Sequence, residues 1–286
     1  MAGRGNGPDF VEALARGLDV LACFDAANRT MSLSDVAAAT ELARPTARRL
    51  LLTLAELGYV RSDEGVFSLT PKVLTLGMAY VSSLGLWDIA RPHLSDLVRR
   101  TGESSSMAVL DGSDIVYMAR VSVPKLIALR VDIGTRFPAQ QTSQGKVLLA
   151  ALHSAELQTV LSQPSRSGLP LYIGRTAEQL SEELIEVRAR GWALADEELA
   201  PGVRSVAAPI RDGAGIVVAA MNVTVHAAET PTDKLLNDYL PLLLRTAGEV
   251  GADWARWQSR PHVEISRAER TGNSRGGDLA GPAATA

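Results

Sequence analysis

The sequence predicts an α+β protein: an N-terminal winged helix-turn-helix, then a larger domain with a mostly antiparallel sheet. Three observations carry that prediction. Residues 33–69 read as helix, turn, second helix and hairpin. Beyond residue 104 the hydrophobic period changes, and short β-type runs joined by Asp-Gly turns mix with helices. The length of 286 residues and a hydrophobic share of 46% suit about two globular domains.

Residues 10–24 repeat apolar side chains at 10, 11, 14, 18, 21 and 24, a helix able to close a small three-helix core. In the next helix Leu33, Val36 and Ala37 share one face. Ser32 is placed to cap it, with Asp35 three residues on in a capping-box arrangement. The following helix takes Pro45 in its first turn, where a missing N–H costs nothing. Its stripe of Ala47, Leu50, Leu51, Leu54 and Leu57 is expected to be buried, and Gly58 ends it. Arg44 and Arg48 stand one turn apart near its start, with Thr46 and Arg49 beside them. Residues 59–61 and 66–69 then flank Asp63-Glu64-Gly65 as a hairpin, the wing, which carries Arg61.

In such a module the second helix lies in the major groove of DNA. Arg44, Thr46, Arg48 and Arg49 are the residues placed to read or clamp a site, with Arg61 on the backbone. On an isolated helix two arginines would be a solvated surface; at the start of this helix, before a wing, they point to DNA. Residues 10–71 hold six arginines against eight carboxylates, so general attraction to phosphate is modest. Affinity then has to come from the local cluster and from pairing copies, as a homodimer or a dimer of dimers on double-stranded operator DNA.

Residues 70–83 form another helix, closed by Gly85, which makes 72–86 a linker helix. The second domain, 87–257, starts with a helix over 87–100 that Gly102 ends. Strands follow at 105–110 and 115–121 around Asp111-Gly112, then at 126–133. Helices are expected over 146–152, 154–161 and 176–190. Strands at 192–195, 205–210 and 216–225 come next, the last two joined by Asp212-Gly213. A long helix over 232–257 completes the domain. An antiparallel sheet with helices over it can enclose a small-ligand pocket. Residues 1–9 and 258–286, rich in Gly, Ala, Ser and Arg and poor in apolar residues, read as disordered.

Several functions are disfavoured. The lone cysteine, Cys23, lies on an apolar helix face and reads as packing. No run approaches about 18 consecutive apolar residues, and residues 1–9 lack a signal core, so a cytoplasmic protein is expected. His93, His153, His226 and His262 are scattered without ligand spacing, so no metal is expected. Asp212-Gly213-Ala214-Gly215 joins two strands and reads as a hairpin turn rather than a phosphate loop. No Ser, Cys or Lys sits in a nucleophile motif, so neither catalytic residues nor a cofactor are expected.

Three segments in order resemble the IclR family of bacterial transcriptional regulators: 48–60 (RRLLLTLAELGYV), 142–150 (TSQGKVLLA) and 201–210 (PGVRSVAAPI). The resemblance spans roughly residues 10–257. Residues 133–139 (IGTRFPA) resemble the branch that governs aromatic-acid catabolism through protocatechuate, 4-hydroxybenzoate and β-ketoadipate. The resemblance implies a ligand-responsive regulator with a dimerising linker helix and a GAF-like effector domain. It implies an effector pocket lined by Ser143 and Gln144 beside Gly145, by Asp196 in place of Ala195, and by Ser205, Asn222 and Thr224. Asn222 and Thr224, two apart on a strand, do face one side; an outward polar face is the alternative. The effector expected is a small carboxylate, an aromatic acid or a ring-cleavage product. Its charge would meet amides at the start of the helix after Gly145 and an arginine. Arg130, Arg136 and Arg204 are available and the motif favours Arg136, with salt bridging elsewhere as the alternative for each. Three other readings stay open: a regulator of another small-carboxylate pathway, an enzyme with an accessory helical domain, and a DNA-binding protein whose second domain only oligomerises.

Overall fold

Capping chemistry and alternation account for most element boundaries in the computed structural model, which describes residues 7–25, 27–77, 85–124, 131–170 and 176–259. The N-terminal unit comprises α1 (Glu12–Ala22), β1 (Met31–Ser32), α2 (Leu33–Ala39), α3 (Arg44–Glu56), β2 (Val60–Asp63) and β3 (Val66–Leu69). The capping box on α2 is closed: Ser32 Oγ accepts from the Asp35 amide, and the Asp35 carboxylate accepts from the Ser32 amide. Val20, Phe24, Met31, Val36, Leu51, Leu54, Val60 and Phe67 form the core. Strand β1 pairs along β3, Met31 opposite Phe67, and is too short for periodicity to reveal.

The buried stripes are narrower than expected. Leu57 is 52% exposed, because α3 ends at Glu56 and Leu57 only caps it. Phe10, Val11, Leu14 and Leu18 are also exposed, so only the C-terminal part of the first helix closes the core. Of the linker helix, residues 73–77 are helical and 78–84 lie outside the described residues. Where that helix ends lies outside the described residues; Gly85, at φ 60°, is the N-cap of α4 (Leu86–Thr101).

The second unit is built on a six-stranded antiparallel sheet in the order β6-β5-β4-β9-β8-β7. Its strands are β4 (Ser104–Asp111), β5 (Asp114–Val121), β6 (Arg136–Pro138), β7 (Ala193–Asp196), β8 (Val203–Arg211) and β9 (Val217–His226). Alternation divides each strand between two cores. On one face Met107, Met221 and Val223 pack with Leu94 of α4 and Leu243 of the last helix. On the other, Ala108, Ala207 and Ala220 pack with Leu148 of α5 (Ser143–Ala151) and Leu184 of α7 (Ala177–Arg190); α6 (Ser154–Leu161) follows α5. The last helix is interrupted: α8 (Thr232–Lys234) and α9 (Leu240–Gln258) flank a π-helical turn at Leu235–Tyr239.

Two expectations move. The strand placed at 126–133 falls largely on residues 125–130, outside the described ones, and 131–135 is a loop; the strand pairing with β5 is β6, with Phe137 opposite Ile115. Helix α5 starts at Ser143, three residues before the expected 146, because Thr142 caps it and accepts from the Gly145 amide. The tail readings fall mostly on residues 1–6 and 260–286, outside the described residues. No helix among the described residues is long and apolar enough to cross a membrane.

Candidate functional site

The outer face of α3 carries Arg44, Pro45, Arg48, Arg49 and Leu52, all exposed, while Thr46 is half-buried on a flank. None of the three arginines forms an ion pair among the described residues, which leaves their guanidinium donors to solvent or a ligand. Leu52, 44% exposed one turn beyond Arg48, escaped the sequence reading; an apolar side chain there suits a thymine methyl. Lys72 was missed as well. Its Nζ donates to the Leu57 carbonyl at 2.7 Å and lies 5.0 Å above the Tyr59 ring, capping the C-terminal end of α3. Arg61 reaches across the wing, Nε donating to Ser68 Oγ at 2.8 Å. The wing tip, Asp63-Glu64-Gly65, is exposed and acidic, and Arg61 is the wing's one cation.

In the second unit a narrow cavity of about 30 Å³ opens between the sheet face beneath α5 and the segment joining β7 to β8. Its polar wall is Arg120, Gln141, Thr142, Ser205, Asn222 and Thr224; its apolar wall includes Tyr117, Phe137, Leu199 and Val203. Asn222 Oδ1 accepts from the Ser106 amide at 3.0 Å, and its Nδ2 donates to Thr224 Oγ1 at 2.9 Å. Ser143 and Ser205 share a hydroxyl hydrogen bond of 2.7 Å. Tyr117 packs edge-on to Phe137, ring centroids 5.7 Å apart. Burial pushes the Tyr117 phenol up to about 12, so it is protonated at neutral pH.

Two groups in this cavity lack what their chemistry requires. The half-buried Arg120 donates from Nη1 to Ser106 Oγ at 3.0 Å, and no carboxylate among the described residues forms a contact ion pair with it, although Asp132 attracts it through space. Burial lowers its pKa, the sign of a cation with incomplete solvation. Gln141 is 5% exposed, and its Oε1 is buried with no partner among the described residues. A guanidinium with no contact ion pair and an unmet acceptor in one cavity fit an anion that also carries a hydrogen-bond donor.

The predicted pocket residues divide. Ser205, Asn222 and Thr224 line the cavity and Ser143 adjoins it through Ser205. Gln144 points elsewhere: its Nε2 donates to the Ser106 and Ala220 carbonyls, tethering α5 to the sheet. Gly145 is a close approach. A Cβ there would sit 2.0 Å from the Ala139 carbonyl oxygen. Gly145→Ala therefore overpacks this contact and costs about 1–3 kcal/mol or more; a thermal melt should show a drop of several degrees, and an unchanged Tm would refute the packing assignment. Arg136, the cation favoured by the motif, does not line the cavity. It pairs with Asp111 at 2.6 Å and with Asp114 at 3.4 Å on the outer edge of the sheet. Asp196 is likewise held by Arg204 at 2.7 Å, while its neighbour Ala195 lines the cavity. Arg130 lies outside the described residues.

A larger open groove of about 930 Å³ lies near Leu148, Val218 and Trp254. Its cations are already engaged: Arg188 donates to the Ala150 and Leu152 carbonyls and Arg211 to the Gly215 carbonyl. It offers an anion nothing comparable to Arg120. Among the described residues no three His, Cys, Asp or Glu side chains converge to hold a metal ion.

Two family models cover most of the chain. The IclR helix-turn-helix domain matches residues 13–64, and the bacterial transcriptional regulator IclR C-terminal domain matches residues 78–252. The chain is similar to the Pca regulon regulatory protein of Pseudomonas putida, 40% identical over 247 residues, 85% of this chain and 84% of that one. It is 33% identical over 247 residues to the p-hydroxybenzoate hydroxylase transcriptional activator of Acinetobacter baylyi, 85% of this chain and 91% of that one. A crystal structure of a transcriptional regulator from Rhodococcus sp. RHA1 superposes with a TM-score of 0.75 at 46% identity, covering 87% of this chain and 100% of that one.

Proposed function

The chain belongs to the IclR family of bacterial transcriptional regulators, and we propose that it controls genes of aromatic-acid catabolism by binding operator DNA in response to a hydroxylated aromatic acid. The observation that carries the effector reading is Arg120, a half-buried guanidinium with no contact ion pair among the described residues, in a cavity walled by Tyr117 and Phe137 that the acid would have to open further. In this reading the effector carboxylate pairs with Arg120, and aromatic and aliphatic side chains of Tyr117, Phe137 and Leu199 enclose the ring. A ring hydroxyl donates to Gln141 Oε1, with Asn222, Thr224 and Ser205 as further polar contacts. The names of the relatives, a Pca regulon regulator and a p-hydroxybenzoate-linked activator, agree with that chemistry.

On the DNA side, Arg44, Arg48, Arg49 and Leu52 meet the major groove, Thr46 clamps from the flank, and Arg61 touches the backbone. Two copies act together on a partly palindromic operator, a homodimer or a pair of them. The exposed apolar side chains of Phe10 and Val11 just before α1 and of Leu14 and Leu18 on it, with Leu74 and Leu76 beyond the wing, support pairing of copies. The effector acts by favouring one arrangement of the paired DNA-binding units, since a ligand with equal affinity for both would shift nothing. The regulator works in the cytoplasm, where its operator lies, and its second unit senses rather than transforms the acid.

Calorimetry with 4-hydroxybenzoate, protocatechuate and β-ketoadipate, paired with operator binding with and without each acid, tests the proposal. Binding of at least one hydroxylated aromatic acid, with a change in operator affinity, is expected. Binding of none of the three would sink the aromatic-acid reading. Turnover of an acid by the purified protein would overturn the sensor reading.

A further inference from the structure

Lys146 is fully buried, yet it is not among the side chains lining the cavity beside Arg120. A buried ammonium is tolerated only when its charge and its three N–H groups are matched. Here Nζ donates to Glu183 Oε1 of α7 at 2.7 Å, to the Leu194 carbonyl of β7 at 3.0 Å and to Glu198 Oε1 at 2.5 Å. Three donors meet three acceptors from three separate parts of the chain.

Glu198 stands in the loop 197–202 between β7 and β8, whose next residue, Leu199, reaches the cavity. That loop is internally closed. Glu197, at a left-handed φ of 56°, donates its amide to the Val203 carbonyl at 2.9 Å, and its carboxylate accepts from the Gly202 amide at 2.7 Å. At its base Arg204 joins Asp196 and donates to the Ala227 and Thr230 carbonyls. At its tip, Glu198 ties it to the helical layer through Lys146. Lys146 lies one turn beyond Ser143, which bonds to the cavity residue Ser205.

We propose that Lys146 is a positioning residue for effector recognition: by holding Glu198 it presses the 197–202 loop, with Leu199, onto the cavity, and by holding Glu183 it links that wall to helix α7. The proposal rests on the reading of the cavity as the effector site. Its physical content is an asymmetry between the two carboxylates. Both share the lysine, but only Glu198 carries a segment that lines the cavity. A lysine that merely filled a buried position would give both carboxylates the same role.

The test compares Glu198→Ala with Glu183→Ala in the full-length protein, with Glu198→Gln as a milder variant that keeps an acceptor. Two readouts are taken. The first needs no ligand: hydrogen exchange at the Glu197, Gly202 and Val203 amides. It should accelerate about tenfold or more in Glu198→Ala, and much less in Glu183→Ala and Glu198→Gln, as expected when a charged hydrogen bond is lost. The second is the Kd for 4-hydroxybenzoate, which should rise about tenfold in Glu198→Ala and stay within about twofold in Glu183→Ala. Operator binding without effector should be the same in all variants, which reports on folding. Equal changes in both alanine variants, or no change in either, would overturn the proposal. If the wild type does not bind 4-hydroxybenzoate but exchange follows the predicted pattern, the choice of acid fails and the positioning role stands.

Discussion

Replacing Arg48 and Arg49 together by alanine is expected to cost operator binding about 2–6 kcal/mol per copy, from roughly 1–3 kcal/mol for each bidentate contact to a base. That is at least about 30-fold, at tenfold per 1.4 kcal/mol, and more when both copies of a pair lose their contacts. Both side chains are exposed and make no fold contact that the loss would disturb, so the thermal melt should not move. The two residues are neighbours, so the single variants need not sum to the double. Titration by fluorescence anisotropy at fixed salt is the measurement, with Arg99→Ala as the control: Arg99 is an exposed arginine on α4 paired with Asp96. A double variant that behaves like the control would remove α3 from the DNA interface. Operators altered at single base pairs refine the assignment. A residue that reads a base loses discrimination at one position, whereas a phosphate clamp weakens every sequence alike and flattens the salt dependence.

Arg120→Met should weaken 4-hydroxybenzoate about 10- to 150-fold, the range for a charged hydrogen bond worth roughly 1.5–3 kcal/mol. Methionine keeps an apolar stem of similar reach, so the change isolates the guanidinium from the packing around it. The neutral amide of the same acid supplies the second leg of a cycle: it should bind both proteins with similar, weak affinity. Arg136→Met should leave effector affinity within about twofold, because that guanidinium is engaged by Asp111 and Asp114 away from the cavity. The reverse result, a large loss at Arg136 and none at Arg120, would return the anion site to the residue that the motif favoured.

Where the sequence misled, the cause is specific. Along a regular strand Tyr117 and Arg120, three apart, would face opposite sides. In the structure Met107 pairs with Ala119 while Ala108 pairs with Tyr117, so Met118 is an extra residue in β5. That bulge turns Met118 and Ala119 together into one core and leaves Tyr117 and Arg120 together on the cavity wall. A one-residue insertion in a ladder has no local signature in a run such as Ile115-Val116-Tyr117-Met118-Ala119-Arg120, because the pairing partner decides it. Arg136 shows the converse. Its motif was legible, but its role depends on two carboxylates, Asp111 and Asp114, that only the β5–β6 pairing brings beside it.

What the sequence by itself determined rests on short-range physics. The capping box at Ser32, the proline in the first turn of α3, the glycines at Gly58 and Gly102 and the Asp-Gly turns act within a few residues of themselves. The two-domain plan and the recognition helix follow from them. The same-facing pair Asn222 and Thr224 was legible for the same reason, since a strand alternates by geometry alone. What only the tertiary structure decided is every feature that joins distant segments. Arg120 reaches the cavity through a bulge, and Gly145 is required by a carbonyl six residues away on a different element. Lys146 is a buried cation held by carboxylates 37 and 52 residues further along the chain. Charge and hydrogen-bond satisfaction in a protein interior are properties of the assembled neighbourhood, and no window of sequence contains that neighbourhood.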